Sequence, residues 1–241
     1  MLSNFLNRLR FTSVPEASKT QTFLVEAAYP VDSKAISVLL QSQAMELKKG
    51  PWTIKRSNEL FKDDFLSLTL DEVTRPDGQP GAYATVRMKP GVAILILDGD
   101  DQQVYLTSQF RYGLGNYSIE VVCGGVDEGE NPLDAAKREV HEELGIQADE
   151  WMGLGRFELD TSIVQNPVDL FLCRKLTFTQ PEPDSVEEIQ PLKAPFPEVV
   201  AMVMDGRIVH GPSCVLILKA HQYLLTQKPV LPLSISKFPL L

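Results

Sequence analysis

Four glutamates crowd into fourteen residues of this chain: Glu130, Glu139, Glu142 and Glu143, with Arg138 among them. They lie in the stretch GGVDEGENPLDAAKREVHEELGI, which begins at Gly124 and ends at Ile146. Like charges one helical turn apart destabilise an isolated helix by a few tenths of a kcal/mol. Charges held beside a core also pay for lost hydration. A divalent cation would relieve both costs. Carboxylate oxygens suit hard cations such as Mg²⁺, which keeps several waters and shares substrate phosphates. The chemistry on offer is therefore metal-assisted work on a phosphate-bearing substrate. The competing reading is a solvated acidic helix face, the ordinary meaning of a glutamate-rich stretch.

A helix has to position these groups, and its ends are legible. Pro132 suits a first-turn position, and Gly145 suits the position just past the end. At 100° per residue Leu133, Ala136, Val140 and Leu144 form one buried stripe. Glu139, Glu142 and Glu143 share an adjacent arc of roughly 100°, with Arg138 at its border.

From Gly124 the pattern is G-x5-E-x7-R-E-U-x-E-E-x-G-U, with U aliphatic, and every fixed position is filled. Chance would produce this in a chain of such length on the order of once in ten million. The pattern is a complete Nudix box. The sequence resembles the Nudix hydrolase family over residues 52–225, and that resemblance implies hydrolysis of nucleoside diphosphate-linked compounds with Mg²⁺, or Mn²⁺. It implies metal ligation by Glu139, Glu142 and Glu143, with Glu142 and Glu143 at the chemistry. Glu130 and Arg138 would hold the loop and helix together.

Residues around the box resemble the ADP-ribose and nucleotide-sugar pyrophosphatase branch: SQFR ending at Arg111, then IEVVCGG ahead of the box. By this resemblance Glu120 is a further ligand or a group behind the ligands, and Cys123 offers its backbone carbonyl to metal. Arg111 contacts substrate phosphates, or else forms a strand-end ion pair. Trp52 and Arg56, in PWTIKR, resemble a segment that stacks on adenine and contacts substrate. The loop SVEEIQP resembles one that carries a general base, with Glu187 the first candidate and Glu188 the second. Val122-Cys123 departs from the branch's usual Pro-Ala, and no proline stands about fifteen residues after the box. The missing proline bears on the substrate rather than on the hydrolysis, while Cys123 can still offer its carbonyl and its thiol reads as a packing group or a redox-sensitive one. A dinucleotide such as NADH is the alternative substrate, although the SQPWPFPxS signature is missing. A non-catalytic nucleotide-binding regulator is the rival class, disfavoured because no box glutamate is lost.

The rest of the chain bounds these readings. Its 241 residues, 44% hydrophobic, fit a soluble globular protein with a proper core. A net charge of −9 argues against general nucleic-acid binding. The longest apolar runs, such as 92–97, are too short to span a bilayer. Three cysteines without a CxxC pair fit a reducing compartment, and a cytoplasmic location is expected. Leu2, Phe5, Leu6 and Leu9 make one amphipathic turn pattern near Arg8 and Arg10, read either as a tail or as an organelle-targeting helix.

The expected organisation is an extension at 1–50, a hydrolase domain at 51–226 and a tail at 227–241. The extension carries a strand at 20–28 and a helix over 33–49, stopped by Gly50. Strands then follow at 65–73, 82–89, 91–99, 102–111 and 117–125. After the box helix come strand-like stretches at 151–160 and 168–176, and helices near 198–204 and 214–225. This order predicts an α+β fold. The family resemblance makes it an α/β/α sandwich with a mixed sheet and an N-terminal antiparallel sheet. In the branch that N-terminal sheet crosses to a twofold partner, so a homodimer is expected.

Overall fold

The computed structural model describes residues 47–99, 102–181 and 188–226. The strand at 20–28, most of the helix at 33–49, Glu187 and the tail from 227 lie outside the described residues.

Two sheets organise the described chain. The first is built by β1 (Leu47–Lys49), β2 (Trp52–Lys62), β3 (Leu66–Thr74) and β4 (Pro80–Met88), paired antiparallel in that order. The alternation expected over 65–73 is the pleat of β3. Arg75-Pro76-Asp77-Gly78 turns the chain into β4, with the Gly78 amide donating to the Arg75 carbonyl at 2.9 Å. The helix expected to reach Lys49 is corrected over its last three residues. Leu47–Lys49 is a strand, because the chain reverses at Gly50–Pro51 and sets Leu47 opposite Ile54.

The second sheet is mixed. It contains β5 (Gly91–Asp98), β6 (Gln103–Arg111), β9 (Ile146–Glu158), β11 (Pro167–Phe178) and β12 (Ile189–Pro195), in the order β12-β6-β5-β11-β9. β11 runs parallel to β5 and antiparallel to β9. The strand expected over 117–125 is two strands. β7 (Asn116–Glu120) pairs with β6, and β8 (Val122–Gly125) pairs with β5. The break falls at Val121, whose N–H leaves the ladder and donates to the Ser213 hydroxyl at 3.1 Å. A short β10 (Val164–Gln165) pairs parallel with β4 and completes the first sheet.

β5 reads V-A-I-L-I-L because both its faces are covered. Val92, Ile94 and Ile96 pack with Ala135, Ala136 and Val140 of α1 (Pro132–Leu144). Ala93, Leu95 and Leu97 pack on the other side with α2 (Phe196–Met204) and α3 (Gly211–Thr226). The fold is the expected α+β, α/β/α sandwich with an N-terminal antiparallel sheet. Among the described residues no helix is long and apolar enough to cross a membrane.

Candidate active site

The helix that carries the glutamates is capped as its sequence demands. The Asn131 side chain accepts from the amides of Leu133 and Asp134, both at 3.0 Å, and Gly145 closes the helix in the left-handed conformation, φ 62°. Ala135, Ala136 and Val140 are fully buried, which fixes the rotation of the helix about its axis. The acidic arc is thereby turned toward the strand end at Cys123-Gly124-Gly125.

Arg138 is the hub of the arc. Its Nε and Nη2 each donate to Glu130 at 3.1 Å. Its Nη1 reaches Glu139 at 2.8 Å and Glu142 at 3.1 Å, and Nη2 also donates to the Gly125 carbonyl at 2.9 Å. Glu130 in turn accepts from the Asp127 amide at 3.0 Å. The Arg138 hydrogen bonds, followed by that amide, hold the Glu130 carboxyl below its usual range. Glu130 and Arg138 thus tie loop to helix, as the resemblance implied.

Glu139, Glu142 and Glu143 line one cleft with Cys123 and Gly124, of about 380 Å³. A Cβ on Gly124 would stand 1.8 Å from Glu139 Cδ and 2.0 Å from its Oε1. The glycine makes the room that the carboxylate fills. Three carboxylates converging on one cleft fit a hard divalent cation rather than a soft one.

Behind the cleft lies a network of which the sequence disclosed only part. Arg111 Nε and Nη2 donate to Glu120 at 3.0 and 2.7 Å, and Glu120 is 2% exposed. The geometry contains the Arg111–Glu120 ion pair, and contact of Arg111 with a substrate phosphate stands beside it as a proposal. Burial pushes the Glu120 carboxyl up, but the Arg111 hydrogen bond, the His210 charge and the Arg111 charge together bring it below its usual value. His210 Nδ1 lies 3.3 Å from Glu120 Oε2 and 2.8 Å from Ser213 Oγ. Burial lowers the His210 pKa, against the pull of Glu120.

His210 and Ser213 were missed in the sequence. Their signal was only a histidine and a serine spaced by three at the start of a helix. Glu120, Cys123 and His210 bring their ligand atoms within 4.8 Å of one another. The Arg111 guanidinium takes both oxygens of Glu120, and Arg111, Glu120, His210 and Ser213 form a polar chain beside the Cys123 thiol. Burial, and then the charges of Glu120 and Glu143, hold the Cys123 thiol well above its usual range. Such a thiol is a packing group rather than a nucleophile.

The remaining predicted residues are dispersed. Glu188 is exposed and directly precedes Ile189, which lines the cleft. It stands immediately before the edge strand β12, where Ile189 pairs with Gln109. Pro191 and Pro195 disguised that strand, yet an edge tolerates proline. Trp52 lies elsewhere, in a cavity of about 210 Å³ that it shares with Asp71 and Tyr83. Its ring meets Tyr83 edge-on, centroids 5.3 Å apart. Asp71 follows Phe65, at the cleft, by six residues, or about 20 Å along an extended strand. Arg56 is exposed on β2, opposite Glu72. Neither Trp52 nor Arg56 joins the glutamates of its own chain.

Comparison with known proteins agrees with this geometry. The NUDIX domain model matches residues 87–203. The chain is 30% identical over 137 residues to a GDP-mannose pyrophosphatase of Yersinia enterocolitica, covering 53% of this chain and 71% of that protein. It is 24% identical over 178 residues to a methanol dehydrogenase activator of Bacillus methanolicus, covering 73% and 93%. It is 23% identical over 152 residues to an ADP-ribose pyrophosphatase of Bacillus subtilis, covering 62% and 82%. A solved structure described as an ADP compounds hydrolase superposes with a TM-score of 0.64 at 20% identity, covering 74% of this chain and 97% of that one. The chain belongs to the NUDIX hydrolase family.

Proposed function

We propose that the protein hydrolyses the pyrophosphate bond of ADP-ribose or a related nucleoside diphosphate sugar, using Mg²⁺. Water adds to one phosphorus, the bridging P–O bond breaks, and the products are a nucleoside monophosphate and a sugar phosphate. The observation that carries this reading is the convergence of Glu139, Glu142 and Glu143 on one cleft at Gly124. Bound there, Mg²⁺ supplies charge neutralisation on the diphosphate and a more acidic attacking water.

The chain's own groups divide the remaining work. Glu139, Glu142 and Glu143 hold the cation, with the Cys123 carbonyl beside them. Arg138 fixes the orientation of Glu139 and Glu142. The Arg111–Glu120 pair braces the strand end from behind, which makes Glu120 a supporting group. Glu188 sits at the rim, where a base for the attacking water is needed, and Glu187 precedes it in sequence. The names of the pyrophosphatase relatives favour a nucleotide sugar as substrate.

Trp52 and Arg56 enter this reading through a homodimer, in which the first sheet of one copy reaches the cleft of its partner. Their distance from the cleft of their own chain favours that arrangement. A reducing, cytoplasmic setting suits Cys123, Cys173 and Cys214, all free thiols.

The test is phosphate release, after coupled phosphatase treatment, from ADP-ribose, ADP-glucose, GDP-mannose, UDP-glucose and NADH. Each is assayed with Mg²⁺, with EDTA and with Glu143→Gln. Turnover of a nucleotide sugar that disappears in EDTA and in the variant is expected. Turnover that survives EDTA would overturn the reading.

A further inference from the structure

The cleft poses an electrostatic problem. It must admit a diphosphate, yet Glu139, Glu142, Glu143 and Asp127 line it. Arg138 does not solve this, since its guanidinium is already shared among Glu130, Glu139, Glu142 and the Gly125 carbonyl. Among the described residues that line the cleft, the other fixed cation is Lys89.

Lys89 is placed with care. Its N–H donates to the Phe65 carbonyl at 2.9 Å, and its own carbonyl accepts from Asn166 Nδ2 at 3.0 Å. These two bonds clamp its backbone where β4 leaves the first sheet. Its side chain then lies across Gly125. A Cβ there would come within 3.0 Å of Lys89 Cδ and Cε and 3.1 Å of Nζ. The two glycines that end β8 therefore accommodate an anion and a cation side by side, Glu139 over Gly124 and Lys89 over Gly125. The Lys89 ammonium meets one side-chain acceptor, Asp127 Oδ1, at 2.7 Å. That carboxylate is 63% exposed, and its pairing with a half-exposed lysine contributes little to stability. An ammonium has three donors. At least one can turn to a further acceptor without breaking the Asp127 bond.

We propose that Lys89 is a substrate-binding residue that donates to a non-bridging oxygen of the diphosphate, with Asp127 holding the ammonium in place between turnovers. This rests on the pyrophosphatase reading of the same cleft and adds a side chain that shares with the cation the charge of the phosphates, which the four carboxylates of the lining repel. The alternative is a surface ion pair that merely fastens the loop to β4.

Kinetics and binding separate the two. Steady-state hydrolysis of ADP-ribose with Mg²⁺ is compared for the wild type, Lys89→Met, Lys89→Arg and Asp127→Asn, alongside equilibrium binding of ADP and Mg²⁺ by calorimetry. Loss of one charged hydrogen bond to substrate raises KM for Lys89→Met about 10- to 100-fold. Its kcat stays within about threefold, since the bond is present before and during reaction. Lys89→Arg keeps KM within about threefold of the wild type, and Asp127→Asn raises KM much less than Lys89→Met does. ADP affinity falls in Lys89→Met in step with KM. An unchanged KM and ADP affinity in Lys89→Met would overturn the proposal. So would a KM rise in Asp127→Asn that matches Lys89→Met, since a fastening pair loses the same thing from either end. If Lys89→Met does not fold, Lys89→Gln is measured in its place. A wild type that turns over nothing but binds ADP through Lys89 would sink the pyrophosphatase reading and leave this one standing.

Discussion

The carboxylate of Glu139 occupies the volume that a side chain on Gly124 would need. The first glycine of the motif is thus a spatial requirement of a glutamate fifteen positions later. Turn geometry alone does not account for it, since Gly124 is a paired residue of β8 opposite Val92.

Gly124→Ala follows directly. The new methyl must displace the Glu139 carboxylate, the end of a flexible side chain, so the fold survives and the donor set does not. Displacing groups that orient metal ligands typically costs about 10- to 100-fold in metal affinity. Mn²⁺ binding by calorimetry should weaken by that factor while the melting temperature barely moves. Unchanged Mn²⁺ affinity would show that Glu139 is not a ligand.

Arg138 should resist even conservative replacement. Its planar fork serves Glu130, Glu139, Glu142 and a backbone carbonyl together, a geometry that a lysine ammonium cannot reproduce. Both Arg138→Lys and Arg138→Ala should destabilise the protein by about 1–3 kcal/mol. For a domain of this size that is a fall in melting temperature of roughly 3–10 °C. Lysine recovering the full wild-type melting temperature would mean that charge alone matters at this position.

The legibility of the molecule follows the range of its interactions. The ends of the box helix were readable because Pro132 and Gly145 act within one turn of their own positions. β5 was readable because burial on both faces leaves an unbroken apolar run. β12 was not, since its prolines signal a loop and only the neighbouring strand β6 makes it an edge. The break at Val121 was hidden for a similar reason, as its partner Ser213 lies 92 residues away. Among site residues the glutamates declare themselves by helical spacing. His210 and Lys89 have no local pattern, and only the folded chain brings them to the cleft or behind it.

Asp71 is an unusual resident of β3. It is 6% exposed, and its Oδ1 is buried with no hydrogen-bond partner among the described residues. A buried carboxylate oxygen left unpaired costs on the order of 1–3 kcal/mol. Asp71→Asn removes the charge while keeping the shape. It should therefore leave the melting temperature unchanged or raise it by roughly 2–4 °C. A clear fall would show that the other carboxylate oxygen stabilises the sheet by more than the buried one costs.

His210 predicts an acid sensitivity that can be separated from that of the carboxylates. Burial lowers its pKa below the usual 6.5, against Glu120, which raises it, and with Arg111, which lowers it further. In the unfolded chain the same imidazole protonates near its usual value. Between that value and the lower folded one, the unfolded state binds more protons, so stability rises with pH. The contribution is complete above about pH 6.5 and is lost progressively as pH falls below it, at up to about 1.4 kcal/mol per pH unit. Glu120, whose folded pKa is also depressed, adds a second loss in the same direction, but below its own usual value of 4.5. Thermal melts of the wild type and His210→Gln at pH 7.5, 6.5 and 5.5 isolate the first window. The wild type should lose stability across it, and the variant should show a flatter profile. Parallel profiles would mean that His210 titrates alike in the folded and unfolded chains, and that the Glu120–His210 contact at 3.3 Å offsets the cost of burial.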